Sequence, residues 1–163
     1  MRLRFLPAVV VLSLLVASCG SPSLTEAEKN ANATSSWISQ TKFAAVVGDL
    51  QSDTAKIALA TKRNLPILTM QTLCGILLLD AQTANNDLPT PDRAATKLLA
   101  VAYGDLGAGA NQCFKATNYD SDLMKQSIAH RSSGLIALAE ATSRLEAVIG
   151  QPIATTTTTT TTP

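Results

Sequence analysis

The sequence has little with which to do chemistry. Of 163 residues, 15% are charged, 4% are aromatic and one is a histidine, His130. A multi-histidine metal site is therefore excluded, and any His-based triad or haem ligation has to use that residue. No Cys-x-x-Cys is present to tune a redox thiolate or, followed by His, to attach haem. No phosphate-cradling glycine loop occurs. Ferritin-like di-metal chemistry needs Glu-x-x-His pairs, and the central part of the chain has only Glu140 and Glu146. Neither sign of charge dominates, with a formal net charge of +1, so there is no electrostatic footprint for nucleic acid. Strand-like alternation is missing as well.

Long apolar runs are scarce, and the one that stands out is at the start. Met1-Arg2-Leu3-Arg4 is followed by an apolar stretch from Phe5 to Ala17 broken only by Pro7 and Ser13. A basic start and an apolar run of about 13 residues match a secretory signal, whereas a spanning helix needs about 20. The exit, Val16-Ala17-Ser18-Cys19-Gly20, resembles the lipobox of bacterial lipoproteins. That resemblance implies removal of residues 1–18, acylation of Cys19 by diacylglycerol and palmitate, and a mature chain tethered to the outer face of the cell membrane. Two or more acyl chains hold a protein lastingly where one does not, because each buried methylene contributes about 0.8 kcal/mol. Removal of the leader takes Arg2 and Arg4 with it and leaves 11 basic residues against 12 acidic ones.

With Cys19 acylated, Cys74 and Cys113 remain, and a pair in an oxidising compartment is most simply a disulfide. Closing its loop contributes roughly 3 to 4 kcal/mol on the chain-entropy estimate.

Residues 19–35 are small, polar and unpatterned, the composition of a flexible linker holding the domain about 20 Å from the lipid. Residues 151–163 end in eight threonines and a proline and read as a disordered tail. Asn32-Ala33-Thr34 fits the N-glycosylation pattern, which in a bacterium is usually accidental.

Residues 36–150 have helical periodicity and predict an all-α, antiparallel four-helix bundle. Phe43, Val47, Leu50, Thr54 and Ile57 mark a first helix from about Ser36 to Arg63. Ile67, Met70, Cys74, Leu77 and Ala81 share a face of a second. Ala95, Leu99, Ala102, Leu106, Gly109 and Cys113 line a third, opened by Thr90-Pro91-Asp92 with Thr90 as the cap and proline suited to the first turn. Met124, Ile128, Arg131, Leu135, Leu138, Thr142, Leu145 and Ile149 form a heptad-like seam on the fourth, started near Asp120 to Asp122 and stopped by Gly150 and Pro152. With 25 alanines, the helices are expected to approach closely.

Both cysteines fall on apolar stripes but not at one level. Cys74 is about 14 Å from the end of its helix and Cys113 about 33 Å from the start of its own. A Cys74–Cys113 bond therefore predicts either a long rising loop between the second and third helices or a bent third helix.

The arrangement resembles a set of small exported actinobacterial helical proteins. The resemblance rests on Trp37, Cys74, the turn Leu88-Pro89-Thr90-Pro91-Asp92, Tyr103 and Cys113. It implies no catalytic residues.

Two residues of the fourth helix are candidate ligand-binding groups. His130 lies beside the seam, where a histidine can ligate haem within a bundle with Met70 or Met124 as second ligand. Arg131 points a guanidinium toward the core, where it must find a carboxylate, Asp80 or Asp105, or snorkel out to water, with anion binding as the functional alternative to a structural ion pair. Ser127 and Ser133 stand near His130 as nucleophiles in principle, but no convergent polar constellation emerges, and the chain is not expected to be an enzyme. The expectation is a non-enzymatic, membrane-anchored interaction or binding module, with another envelope protein or a small apolar ligand as partner, no bound cofactor and no metal. The alternative is a small-ligand or haem carrier using the bundle interior near His130.

Overall fold

A computed structural model describes residues 23–154. Residues 1–22 and 155–163, with the expected leader, the expected lipidation site Cys19 and the threonine run, lie outside the described residues. Among the described residues there are five helices and no strand: α1 (Glu26–Gln40), α2 (Phe43–Lys62), α3 (Ile67–Asn85), α4 (Arg93–Lys115) and α5 (Asp122–Ile149). The protein is an all-α bundle in which α2 to α5 run alternately up and down.

The extra helix, α1, corrects the linker reading of residues 19–35 over its residues 26–35. Thr25 opens α1 with a capping box: its hydroxyl oxygen accepts from the Glu28 backbone N–H, and the Glu28 carboxylate accepts from the Thr25 N–H at 2.7 Å. These reciprocal bonds satisfy two otherwise orphaned donors and start a helix that composition alone does not announce. A second correction concerns the expected helix from Ser36 to Arg63. It breaks at Thr41 and Lys42, where the Lys42 backbone is left-handed (φ 52°) and α2 begins anew. Trp37 and Phe43 flank the break with ring centroids 5.5 Å apart.

The core stripes of the middle helices fall where periodicity puts them. Phe43, Val47, Leu50 and Ile57 of α2, Met70, Cys74, Leu77 and Ala81 of α3, and Ala95, Leu99, Ala102, Leu106 and Cys113 of α4 are all buried. By length and composition α3 is apolar enough to cross a membrane; its Met70, Cys74, Leu77 and Ala81 stripe packs against the bundle, while most of the helix is not buried.

On α5 the core face lies to one side of the expected seam. Ile128 is exposed, and the face turned to α4 is Ser127, Arg131, Gly134, Leu138, Ala141 and Leu145. From Met124 the buried positions step by three and then four, through Ser127, Arg131, Gly134, Leu138, Ala141 and Leu145, where the expected seam stepped by four and then three; the average period is the same and the alternate positions lie on the neighbouring side of the helix. The small residues of the true face let the backbones touch. A Cβ on Gly134 would lie 3.0 Å from the Ala102 carbonyl oxygen, and one on Gly109 would lie 2.9 Å from that of Ser127.

Cys74 and Cys113 form a disulfide with their Cα atoms 5.9 Å apart. Of the two geometries that the bond demands, the rising loop is the one present. Cys74 lies 11 residues before Asn85 and Cys113 lies 20 residues after Arg93, so α4 extends about nine residues, ~13 Å, past the end of α3. Gly107 still faces Leu78 and Ala81, the same register as the cysteine pair, so no bend of α4 is needed. Residues 86–92 climb alongside the overhang. The Trp37 indole N–H donates to the Asp87 carbonyl at 2.9 Å, which pins α1 to this loop, and the Leu88–Pro89 peptide is cis. The loop ends in a knot in which the Thr90 hydroxyl donates to the Asp92 carbonyl and meets the Thr96 hydroxyl.

Candidate functional site

The residue that carries α4 into the bundle is Asp92, not Thr90. Its carboxylate caps the helix by accepting from the Ala95 N–H at 2.8 Å, and Arg144 of α5 grips it with two N–H groups, at 3.1 and 2.8 Å. The Arg144 fork, with the Ala95 N–H beside it, holds the Asp92 carboxyl below its usual range against the opposing effect of burial. This pair was not legible in the sequence, because Asp92 and Arg144 are 52 residues apart.

His130 and Asp105, one on each of α5 and α4, lie side by side, with Nδ1 and Oδ1 2.9 Å apart. They share a shallow surface depression of about 300 Å³ with Gln126, Ala129 and Ser133. An Asp on Nδ1 fixes the imidazole orientation. Met70 and Met124, however, are fully covered in the core, and neither lines this depression, so the structure does not bring His130 together with a methionine. Ser133 makes no hydrogen bond with His130 among the described residues.

Arg131 has neither of the carboxylate partners expected for it. Asp105 is taken by His130, and Asp80 sits against Asp53 of α2. Burial, then Asp53, pushes the Asp80 carboxyl up to about 6. Arg131 is only 4% exposed, and its one side-chain hydrogen bond runs from Nε to the Ser127 hydroxyl at 3.2 Å. Its Cγ lies over Gly109, where a Cβ would come within 2.8 Å of it. The guanidinium is thus carried on a stem pressed into the tight α4–α5 contact. Loss of solvent lowers its pKa, although a guanidinium stays protonated at any physiological pH. The residue lines a groove of about 400 Å³ between the C-terminal half of α2 and the N-terminal half of α5, with Thr54, Ala58, Ile128 and Leu135 among its walls and Lys62 at its edge.

The outer face of α3 is the second notable surface. Leu68, Ile76 and Leu79 are 73%, 45% and 62% exposed. Phe114 of α4 is also exposed and lies against Gly75. The signal was in the sequence: α3 is apolar nearly all round, which an amphipathic helix with one solvated face is not. A third depression, of about 760 Å³ between α3 and α4, is lined by the amides of Gln82, Asn85, Asn86 and Asn111 around Tyr103. Among the described residues no group of three or more His, Cys, Asp or Glu side chains is placed to hold a metal ion.

No known protein family matches the chain, and neither curated proteins nor solved structures provide a match.

Proposed function

We propose that the chain is an extracytoplasmic lipoprotein, tethered to the cell membrane through acylated Cys19, and that its bundle is a non-enzymatic interaction module for another envelope protein. The tether rests on Val16-Ala17-Ser18-Cys19 and agrees with the Cys74–Cys113 disulfide, a bond at home in an oxidising compartment. The interaction role rests on one observation above the others, the exposed Leu68, Ile76 and Leu79 along a single helix. Contiguous apolar surface of this kind marks contact sites more often than chance exposure does.

The test is a photo-crosslinking residue placed at Ile76 in the native envelope, compared with one at the exposed Glu140 on α5. A discrete partner captured from Ile76 and not from Glu140 is expected, and equal or absent capture from both contradicts the interaction role. The tether is tested separately by Cys19→Ala, which is expected to release the protein from membranes. Continued membrane recovery would count against acylation.

A second reading, a small-ligand carrier, is favoured by the Arg131 groove. Its haem form, centred on His130, predicts a Soret band in protein purified from its host.

A further inference from the structure

Arg131 is nearly covered, charged, and without a counter-ion among the described residues. Burying an unpaired cation costs several kcal/mol, and a bundle gains nothing in packing from a guanidinium that Met or Leu would not provide. Only Nε is used internally, on Ser127. The two Nη groups make no hydrogen bond among the described residues, yet they are not sealed off as orphaned buried atoms. Arg131 lines the α2–α5 groove. The rest of that groove is mostly apolar, with Leu135, Ile128 and Ala58 as walls and Lys62 adding a second positive charge at the rim.

We propose that the α2–α5 groove binds an anionic amphiphile, a carboxylate or phosphate head resting on the Nη groups of Arg131 and an apolar tail lying along Leu135, Ile128 and Ala58. A guanidinium presents parallel N–H donors that match two oxygens of one oxyanion, and the surrounding low-dielectric walls strengthen that contact. A groove of about 400 Å³ accommodates on the order of a dozen non-hydrogen atoms, the size of a head with a medium-length tail. The head would supply the counter-charge that Arg131 lacks. The proposal rests on and deepens the small-ligand-carrier reading by naming a ligand class, and it stands or falls independently of the α3 face and the tether.

The test is calorimetric titration of the full chain carrying Cys19→Ala with decanoate and with decyl phosphate, using decanol and decyltrimethylammonium as uncharged and cationic controls. One anion or both should bind at a single site, with decanol at least about tenfold weaker, as expected for loss of a charge-assisted contact. Tighter binding of decanoate points to a fatty acid as the natural source, and tighter binding of decyl phosphate to a phospholipid. Arg131→Met should weaken anion binding about ten- to a hundredfold while its helical circular dichroism is kept, and Arg131→Lys should restore part of it. Ala58→Trp, which fills the groove at an exposed position and leaves Arg131 in place, should also abolish binding; it keeps the proposal testable if Arg131→Met does not fold. Absence of binding by either anion, equal binding of decanol, or undiminished binding by Arg131→Met overturns the proposal. If Cys19→Ala stays in membranes, the tether alone fails, and the same head-group comparison is made on protein in nanodiscs.

Discussion

Replacing Gly134 by alanine tests the feature on which the site depends, the close approach of α4 and α5 that presses the Arg131 stem into place. Gly134 lies mid-helix, where alanine is favoured by about 1 kcal/mol on propensity alone. Its Cβ, however, would stand 2.8 Å from Leu106 Cγ and 3.0 Å from both the Ala102 carbonyl oxygen and the Leu106 nitrogen. Two of these three atoms are backbone and cannot swing aside, so the helices have to separate, and overpacking of this kind costs about 1 to 3 kcal/mol. The net effect is a loss of roughly 0 to 2 kcal/mol. Gly104, on the same pair of helices, is the control: a Cβ there has nothing within 4 Å, so Gly104→Ala should stabilise by the full propensity gain of about 1 kcal/mol. At about 4 °C per kcal/mol for a body of this size, the melting temperatures of the two variants should lie roughly 4 to 12 °C apart, with Gly104→Ala above the wild type. Thermal unfolding followed by circular dichroism reads this directly. If Gly134→Ala raises the melting temperature as much as Gly104→Ala does, the two helices do not touch at Gly134 and the account of their packing is wrong.

Further outcomes follow from the same geometry. Intact mass after alkylation without reductant should show no free thiol at Cys74 or Cys113, and reduction should lower stability by about 4 kcal/mol for a sequence separation of 39 residues; two alkyl additions would contradict the bond. Asp92→Ala removes a helix cap and the partner of Arg144 together, so a loss of at least about 1 kcal/mol in urea unfolding is expected, and an unchanged midpoint would refute the capping role. The Asp80 carboxyl is raised to about 6 beside Asp53, so the folded state holds that proton more tightly than the unfolded chain does. Its stabilising contribution is complete below about 4 and is lost as pH rises through about 6, so Asp80→Asn should stabilise near neutrality and flatten the stability profile across that window. An unaltered profile would show that burial and Asp53 do not raise the Asp80 carboxyl in the folded chain.

Where one helix faces one core, its apolar period was readable: every stripe residue named for α4 is buried, and those of α2 and α3 follow closely. The register problem of Cys74 and Cys113 narrowed the geometry to a rising loop or a bent third helix, and the loop is the one present. Three things were less legible for physical reasons. Helix α1 has a polar composition and is begun by Thr25 and Glu28, a local signal that outweighs a linker-like average. The break at Lys42 is a left-handed residue of a type that gives no warning. On α5 the apolar Ile128 drew the expected seam to one side, whereas the contact, at the same average spacing, uses Ser127 and Gly134, whose small size is the reason the helices meet there and which carry no apolar signal. Arg131 was correctly placed on the buried side, but its expected partners Asp80 and Asp105 are engaged elsewhere, and that distinction between a paired and an unpaired buried cation is invisible without coordinates.

Intact mass spectrometry of protein extracted from the membranes of its host measures most directly the proposed tether through Cys19. A chain beginning at Cys19 and carrying a diacylglyceryl and an acyl group on that residue is predicted. A chain that retains residues 1–18, or that begins at residue 19 without added lipid mass, would contradict it.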